Sequence, residues 1–364
     1  MGQWIDAGAV RVAVDVAGGR VVARTVRSDR PRGLASTLTR HPPAAIPDLV
    51  RRIFALCGTS HAIAAANALV MAGAAIAAPP AQTAVRQLAA ERITAHLQAT
   101  FMGWSATVPL TALEAAALSR ALVATRAMGS DGEAMIAALD ALGLSADRRV
   151  GSWADRLLGA ADGQDGDRLR TLDALGAVDD HRVLAMLERQ GETFAASPWL
   201  RGRRPETGPA ARAALRGFRA VSSAQRLGAR LNEIAEAAFV MTGAQADPDE
   251  WLVAGRCDPG TGYCAVETPR GRLYHLAQLG PDGAVQRFLI VAPTEWNFAC
   301  DGPFALALDQ LRVKDADPRA AIARLAMLYD PCVGCDVELR QTPAVQQGAL
   351  PESHSEAEWL RGLS

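Results

Sequence analysis

The long helix-type stretch in the middle of the sequence limits the possible folds more than any other feature. Thr111 with Glu114, and Ser130 with Glu133, have the spacing of helix capping boxes, and each pair opens a run rich in alanine and leucine. A further helix is expected over residues 224–241. These segments predict a domain in which helices form most of the structure.

Patterns typical of strands stand on both sides of this helical stretch. Valines alternate with other residues over 10–16, and after a glycine pair at 18–19 the strand pattern resumes over 21–26, which is typical of a β-hairpin. Strand-type sequence returns near residue 251 and ends near residue 291. Together these patterns predict an α+β fold that is mainly α, with an N-terminal β-hairpin, long central helices and a late β-ribbon.

We expect residues 1–364 to form one domain without internal repeats, since a chain of this length can bury a substantial core. Its expected sections are a β-hairpin and loop (1–50), a helical section (51–245), a β-ribbon (246–300), a helix followed by a cysteine motif (301–338) and a tail (339–364). The helix before the cysteine motif is expected at about 318–328.

The composition is that of a globular protein. Hydrophobic residues make up 49% of the chain and the net charge is −1, so we expect neither nucleic acid nor an anionic membrane as a partner. Residues 1–6 lack the basic and apolar regions of a signal peptide. The apolar stretch 62–78 is short, rich in alanine and interrupted by Asn67, which favours a buried core helix over a membrane span. These features predict a cytoplasmic protein.

Six cysteines in a cytosolic chain of this size do not suggest a disulfide framework. Cys332 and Cys335 form a CxxC motif, which by itself is compatible with zinc binding, redox chemistry or coincidence. Three further cysteines lie in or beside the predicted ribbon, and we expect them to be small buried hydrophobic residues: Cys257, Cys264 and Cys300.

The sixth cysteine stands near a histidine. Cys57 and His61 are four residues apart in a segment that we expect to be helical, so they would share one helix face. A hydrogen-bonded core histidine is the simplest interpretation of His61. Together with Cys332 and Cys335, however, these residues could also form a zinc site with three thiolates and an imidazole.

Five separated segments resemble motifs of the NiFe-hydrogenase large subunit, and they stand in the order of that family. The family's Arg-Ile-Cys-Gly-x-Cys-x-x-x-His corresponds to residues 52–61, and its Asp-Pro-Cys-x-x-Cys-x-x-His corresponds to residues 330–338. Between them lie Glu-Thr-Gly-Pro-Ala-Ala-Arg at 206–212, Val-Glu-Thr-Pro-Arg-Gly at 266–271 and Pro-Thr-Glu-Trp-Asn at 293–297. The resemblance extends over essentially the whole chain, although the chain is shorter than typical large subunits.

The resemblance implies a metal site in which the iron half is retained and the nickel half is incomplete. In the family, two thiolates bind nickel only and two bridge nickel to an iron that carries two cyanides and one carbon monoxide. Phe54 replaces one nickel-only cysteine, and Cys332 corresponds to the other. Cys57 and Cys335 correspond to the bridging pair. The expected metal residues are therefore Cys57, Cys335 and Cys332, and nickel is not expected.

The resemblance also assigns residues around the metal ligands. Arg270 matches the arginine that overhangs the family's site, and Pro293-Thr294 match the segment that hydrogen-bonds a cyanide. His61 matches the histidine of the first motif. A guanidinium and a hydroxyl are suitable donors to a cyanide nitrogen, so these residues are expected to hold and orient the diatomic ligands.

Other positions have lost functional groups of the family. Ala35 stands where the family has a glutamate that the resemblance associates with proton transfer, and Ala7 stands where it has an acid that the resemblance associates with a magnesium site. Glu338 replaces the histidine after which the enzyme precursor is cleaved. These losses argue against hydrogen turnover.

The pattern resembles the hydrogenase accessory proteins of the HupK/HoxV type. It implies a non-catalytic scaffold that binds the Fe(CN)2(CO) unit transiently before transfer to the hydrogenase large subunit. The implied partners are that subunit and the maturation proteins that build or carry the unit. Two alternatives are a hydrogenase-like enzyme with residual activity and a structural zinc protein.

Overall fold

A computed structural model describes residues 8–127, 132–145, 148–162, 172–219, 221–313 and 317–340. Three predictions fall outside these ranges: the helix cap at Ser130, the replaced glutamate at Ala7 and most of the tail, from residue 341 onwards. The helices in the described ranges are α1 (Leu34–Thr37), α2 (Ile46–Ile53), α3 (Gly58–Ala72), α4 (Ala81–Trp104), α5 (Ala112–Arg126), α6 (Gly132–Ala141), α7 (Trp153–Asp162), α8 (Asp180–Gln190), α9 (Glu192–Ala196), α10 (Pro209–Leu215), α11 (Ser223–Met241), α12 (Pro293–Asn297), α13 (Pro303–Gln310) and α14 (Pro318–Tyr329).

The strands of the described ranges form two sheets. They are β1 (Ala9–Ala17), β2 (Arg20–Ser28), β3 (Leu252–Asp258), β4 (Thr261–Thr268), β5 (Gly271–Leu279), β6 (Val285–Val291) and β7 (Gly334–Arg340). The first sheet has the order β2-β1-β7, and the second is the antiparallel meander β3-β4-β5-β6. The predicted hairpin and ribbon are therefore confirmed, and so is the mainly helical α+β class.

Strand β7 was not predicted, and it pairs with the N-terminal hairpin. It runs parallel to β1, with Val10 opposite Cys335 and Ala13 opposite Glu338. The C-terminal cysteine motif therefore leads directly into a sheet that contains the N-terminal hairpin. This pairing places the last motif beside the N-terminal hairpin.

Helix α3 is the buried core helix that the apolar composition predicts, although it ends at Ala72, where Gly73 has a φ of 104°. The 18-residue window Ala55–Ala72 has a mean hydropathy of 1.4, enough by length and composition to cross a membrane, but 67% of it is buried inside the fold. The helix lies very close to the ribbon, because a Cβ atom at Gly262 would collide with the backbone at Ala68 and Ala72. This burial favours a core helix.

Local signals fix the ends of two other helices. Thr111 Oγ1 accepts a hydrogen bond from the Glu114 backbone N–H at 3.3 Å, and Glu114 Oε2 accepts one from the Thr111 N–H at 2.8 Å. The predicted capping box at the start of α5 is therefore present. Helix α11 begins one residue before its predicted start, after a second capping box formed by Ser222 and Gln225.

A buried chain of alternating charges fixes the ribbon against the helices. Arg212 donates from Nε to Glu233 Oε1 at 2.6 Å and from Nη1 to Glu267 Oε2 at 2.7 Å. Arg272 donates from Nη1 to Glu267 Oε1 at 2.8 Å and from Nε to Asp180 Oδ1 at 2.7 Å. Removing one member of a buried ion pair costs roughly 3–5 kcal/mol, because it leaves an uncompensated charge. Two of the sequence motifs therefore hold the turn before β5 in place.

Candidate metal centre

The N-terminal thiol of the site lies where one helix ends and the next begins. Helix α2 stops at Phe54, whose backbone has φ −105° and ψ 55°, and a 3₁₀ turn over Ala55–Cys57 leads into α3. Cys57 therefore precedes the helix that contains His61, and the prediction that both lie on one helix face was wrong. Gly58 allows the sharp turn, because a Cβ atom there would lie 2.5 Å from the Arg51 carbonyl oxygen.

The C-terminal thiol follows the end of α14. Asp330 adopts the left-handed region with φ 47°, the one non-glycine residue to do so in the described ranges, and it turns the chain towards Cys332. Thr294 Oγ1 lies 3.2 Å from the Cys332 sulfur and accepts a hydrogen bond from the Cys332 backbone N–H at 3.3 Å. Thr294 therefore holds the loop that carries this thiol. Its predicted neighbour Pro293 is buried and begins α12.

Residues from the N-terminal and C-terminal parts of the described chain line one cavity of about 1180 Å³. Cys57 and Cys332 both line it, as does Ala35, which replaces a family glutamate. Cys335 is not among the lining residues that the structure describes; it is half-buried on β7, where burial raises its pKa to about 11. The structure thus brings Cys57 together with Cys332, whereas the resemblance pairs Cys57 with Cys335.

The surroundings of Cys57 keep it protonated in the free protein. Burial, then the neighbouring Cys332 and Glu91, raise the pKa of Cys57 far above the ordinary value of a thiol. Arg270 and Arg30 act in the opposite direction and lower it. A metal ion that binds this thiol must therefore displace a proton, and the two guanidinium groups favour the charged product.

Arg270 lies beside the thiols with part of its donor capacity unused. It is 7% exposed, and its contacts with Asp330 are long: Nε lies 3.4 Å from Oδ2 and Nη2 lies 3.5 Å from Oδ1. Both Nε of Arg270 and Oδ2 of Asp330 are buried without a hydrogen-bond partner among the described residues. Although burial lowers the pKa of Arg270, Asp330, Cys57 and Cys332 raise it above its ordinary value. A buried donor of this kind is suited to a small acceptor ligand.

A second guanidinium belongs to an ion pair that the sequence did not reveal. Arg30 Nη1 donates to Glu295 Oε1 at 2.6 Å, and both side chains are largely buried. Burial lowers the pKa of Arg30, but Cys332, Glu295 and Cys57 together raise it. The position of Glu295 inside the fifth motif was the available signal, but its partner lies 265 residues away in the chain.

Glu91 is another residue of the site that sequence reasoning missed. Its carboxylate accepts the backbone N–H of Thr59 at 2.7 Å and that of Ser60 at 3.1 Å, and it also bonds the Ser60 hydroxyl. It therefore caps the N-terminus of α3 just after Cys57. The available signal was that Glu91 is the one acidic residue of α4.

Phe54, which the resemblance aligns with a nickel-only cysteine, stacks on a histidine. The rings of Phe54 and His61 lie 4.0 Å apart with an interplanar angle of 12°. Nδ1 of His61 lies 2.9 Å from Nε2 of His275, and both histidines are buried. Burial lowers the pKa of His61 and brings that of His275 to about 3, so both rings are neutral. His61 is therefore engaged in the core.

The cysteines outside the two metal motifs differ in burial, and Asn297 of the fifth motif has a structural role. All six cysteines are free. Cys264 is fully buried, as predicted, but Cys257 is only half-buried at the end of β3 and Cys300 is exposed at the cavity, so the prediction of buried residues was wrong for these two. Cys300 is exposed because it lies in the turn that follows α12. Asn297 bonds both backbone groups of Thr207 at 3.0 and 2.9 Å, which is a structural role.

Solved structures of hydrogenases share this fold. The Ni-Fe-Se hydrogenase from D. vulgaris Hildenborough in the reduced state matches 88% of this chain and 95% of its own, with a TM-score of 0.55 and 16% identity. An NAD+-reducing [NiFe]-hydrogenase in the H2-reduced state matches 86% of this chain and 93% of its own, with a TM-score of 0.51 and 16% identity. The chain therefore has the fold of NiFe-hydrogenase large subunits.

Sequence relatives define the family within that fold. The hydrogenase expression/formation protein HupK of Rhizobium leguminosarum bv. viciae is 34% identical over 92% of this chain and 98% of its own length. HoxV of Cupriavidus necator, another hydrogenase expression/formation protein, is 30% identical over 87% of this chain and 93% of its own. Residues 193–338 also match the nickel-dependent hydrogenase family. The chain belongs to the HupK/HoxV family of hydrogenase expression/formation proteins, as the resemblance predicted.

Proposed function

We propose that this protein is a non-catalytic scaffold in NiFe-hydrogenase maturation that binds the Fe(CN)2(CO) unit as cargo and passes it to the hydrogenase large subunit. One observation carries the proposal. Cys57 and Cys332, which are far apart in the sequence, line one cavity, and the guanidinium groups of Arg30 and Arg270 lie beside Cys57. Phe54, which lines the same cavity, stands where the resemblance places a nickel-only cysteine. We also propose that the protein works in the cytoplasm, with the maturation proteins that supply the unit.

The charges of the site suit this cargo. Ferrous iron with two cyanides and a carbon monoxide is neutral, so two thiolate ligands give the bound unit a charge of about −2. Arg30 and Arg270 lie next to the thiols and can compensate this charge in a low-dielectric surrounding. The unpartnered Nε of Arg270 can donate to a cyanide nitrogen, which accepts hydrogen bonds.

The number of protein ligands also favours the iron unit over zinc. Within the described ranges, no group of three or more His, Cys, Asp or Glu side chains is arranged to hold a metal ion. A structural zinc site needs about four protein ligands. An iron that already carries three diatomic ligands needs only the two thiolates. His61 bonds to His275, so it does not support a zinc site with Cys57.

The proposal is tested by the metal content and infrared spectrum of the protein from a strain with intact hydrogenase maturation genes. We expect iron with cyanide and carbonyl stretching bands, and little nickel, because the iron ligands are retained while a nickel ligand is replaced by Phe54. The same protein from a strain without these genes is the control and should show no such bands. Stoichiometric nickel, or iron without diatomic ligands, would contradict the proposal.

We further expect that the chain keeps its C-terminus. The family's cleavage position corresponds to Glu338, which is paired opposite Ala13 in the middle of the β1–β7 ladder. A strand that is hydrogen-bonded in a sheet is a poor protease substrate, because a protease binds extended, unpaired chain. The mass of the protein from its native host should therefore include residues 339–364. A product that ends at Glu338 would show that the processing signal still works.

A further inference from the structure

The cavity that contains Cys57 has a basic opening, which we call the basic mouth. We define it by five exposed lining residues, Arg27, Arg32, Arg52, Leu56 and Cys300; the exposed Glu192 also belongs to the lining. The whole chain has a net charge of −1, yet the cavity is lined by four arginines (Arg27, Arg30, Arg32 and Arg52) against two glutamates. The structure therefore concentrates positive charge around the entrance to the thiols.

Two of these arginines form no ion pair within the described part of the chain. Arg27 lies 3.0 Å from Asp29, and Arg30 is paired with Glu295. Arg32 and Arg52, in contrast, have no carboxylate within 4 Å among the residues that the structure describes. Glu192 also lines the cavity, but its single negative charge does not balance the two positive charges of Arg32 and Arg52. An unpaired basic rim attracts an acidic partner and accelerates its association.

The cavity is also larger than its proposed cargo. Its volume of about 1180 Å³ exceeds the ~300–1,000 Å³ of pockets that enclose drug-sized ligands, whereas the iron unit contains only seven atoms. Cys57 is only 8% exposed, so a thiolate of another protein can reach an iron bound there only by entering the cavity. Contact between two convex surfaces would leave the iron out of reach.

We infer that the basic mouth receives an acidic, extended segment of the partner protein that exchanges the iron unit with this chain. The inference rests on the proposed function for the identity of the cargo. Two thiolates of this chain hold the unit, so each of the two iron–sulfur bonds breaks as a bond from iron to a thiol sulfur of the partner forms. Each incoming thiol passes its proton to the departing thiolate, and the iron keeps its oxidation state.

The probe is a short fluorescent peptide rich in glutamate and free of cysteine, with a second peptide of the same sequence carrying glutamine for glutamate. Fluorescence anisotropy with the full-length, metal-free protein should show that the glutamate peptide binds about tenfold more tightly than the glutamine peptide. Arg32→Glu with Arg52→Glu should remove this preference. Arg120→Glu with Arg126→Glu, two exposed arginines on α5, is the matched control and should retain it.

A chemical footprint locates the peptide. Bound glutamate peptide should slow the alkylation of Cys300, which is exposed in the mouth, and leave that of Cys257, which does not line the cavity, unchanged. Equal binding of both peptides, loss of binding in the α5 control or an unprotected Cys300 would overturn the inference.

The chain's own tail is the other possible occupant, since Glu352, Glu356 and Glu358 make it acidic. If the glutamate peptide binds only after these three residues are changed to glutamine, the tail fills the mouth and the inference of a partner segment is wrong. The infrared experiment decides separately on the cargo. Iron with diatomic ligands but no peptide binding would overturn only this inference, and binding without iron would overturn only the proposed function.

Discussion

Replacing Cys57 with serine is expected to abolish iron loading of this protein and maturation of the hydrogenase that it serves. Cys57 is one of the two bridging thiolates that the resemblance assigns to the iron, and it also lies beside Cys332 in the cavity. A hydroxyl oxygen is a hard and weakly acidic ligand, so it cannot replace a thiolate on low-spin iron. Elemental analysis, the infrared bands of the purified variant and hydrogenase activity in the complemented strain measure the effect.

The two C-terminal cysteines decide which thiol completes the iron site. The resemblance assigns the second iron ligand to Cys335, so we expect Cys335→Ser to lose iron as Cys57→Ser does, and Cys332→Ser to retain more. If Cys332→Ser loses the iron and Cys335→Ser keeps it, the pair that the structure brings together is the ligand pair. Cys264→Ala is the control, because Cys264 is buried in the ribbon and does not line the cavity.

Two other results would contradict the assignment of Cys57 and Cys335 to iron and of Cys332 to nickel. If all three serine variants retain iron and its diatomic bands, thiolates do not hold the unit. If all three lose it equally, the separation into iron ligands and a nickel-type cysteine is wrong for this protein. Thermal unfolding of each variant shows whether a loss of iron reflects a loss of structure.

Phe54→Cys is expected to give the protein nickel affinity that the wild type lacks. The change restores the fourth cysteine of the family's metal motifs, because the resemblance places Phe54 at the nickel-only position. Its ring is partly buried and stacks on His61, so its loss should lower the free energy of unfolding by roughly 2 kcal/mol, at the lower end for a large-to-small change. Nickel is measured by elemental analysis of the folded fraction.

Phe54→Ser separates the thiol from the space that it occupies. This variant opens the same void without a soft ligand, so it should lose similar stability and gain no nickel. We expect Phe54→Cys to remain a poor hydrogenase, because Ala7 and Ala35 still lack the family's carboxylates. Wild-type protein that binds nickel as tightly as Phe54→Cys would show that Phe54 does not exclude the metal.

The regular elements of this fold were predictable because their signals are local. Alternating valines at 10–16, the capping box at Thr111 and the apolar stretch from residue 62 each depend on neighbours within a few positions. Strand β7 has no such signal. Its partner β1 lies more than 300 residues earlier, and a parallel pairing over that separation depends on the packing of the elements between them.

The site likewise contains residues that the sequence identifies and residues that only the tertiary structure identifies. The motif residues Cys57, Cys332 and Arg270 could be named from the sequence, because motifs keep residue types at fixed spacing. The groups that set their chemistry could not, because Arg30 and Glu91 reach the site from the segment after β2 and from α4, where the sequence offers no metal motif. Burial raises the pKa of the Cys57 thiol, and two guanidinium groups oppose that effect. Which charges share a buried space is a property of the tertiary structure alone, because desolvation and Coulomb interactions depend on distance in space and not along the chain.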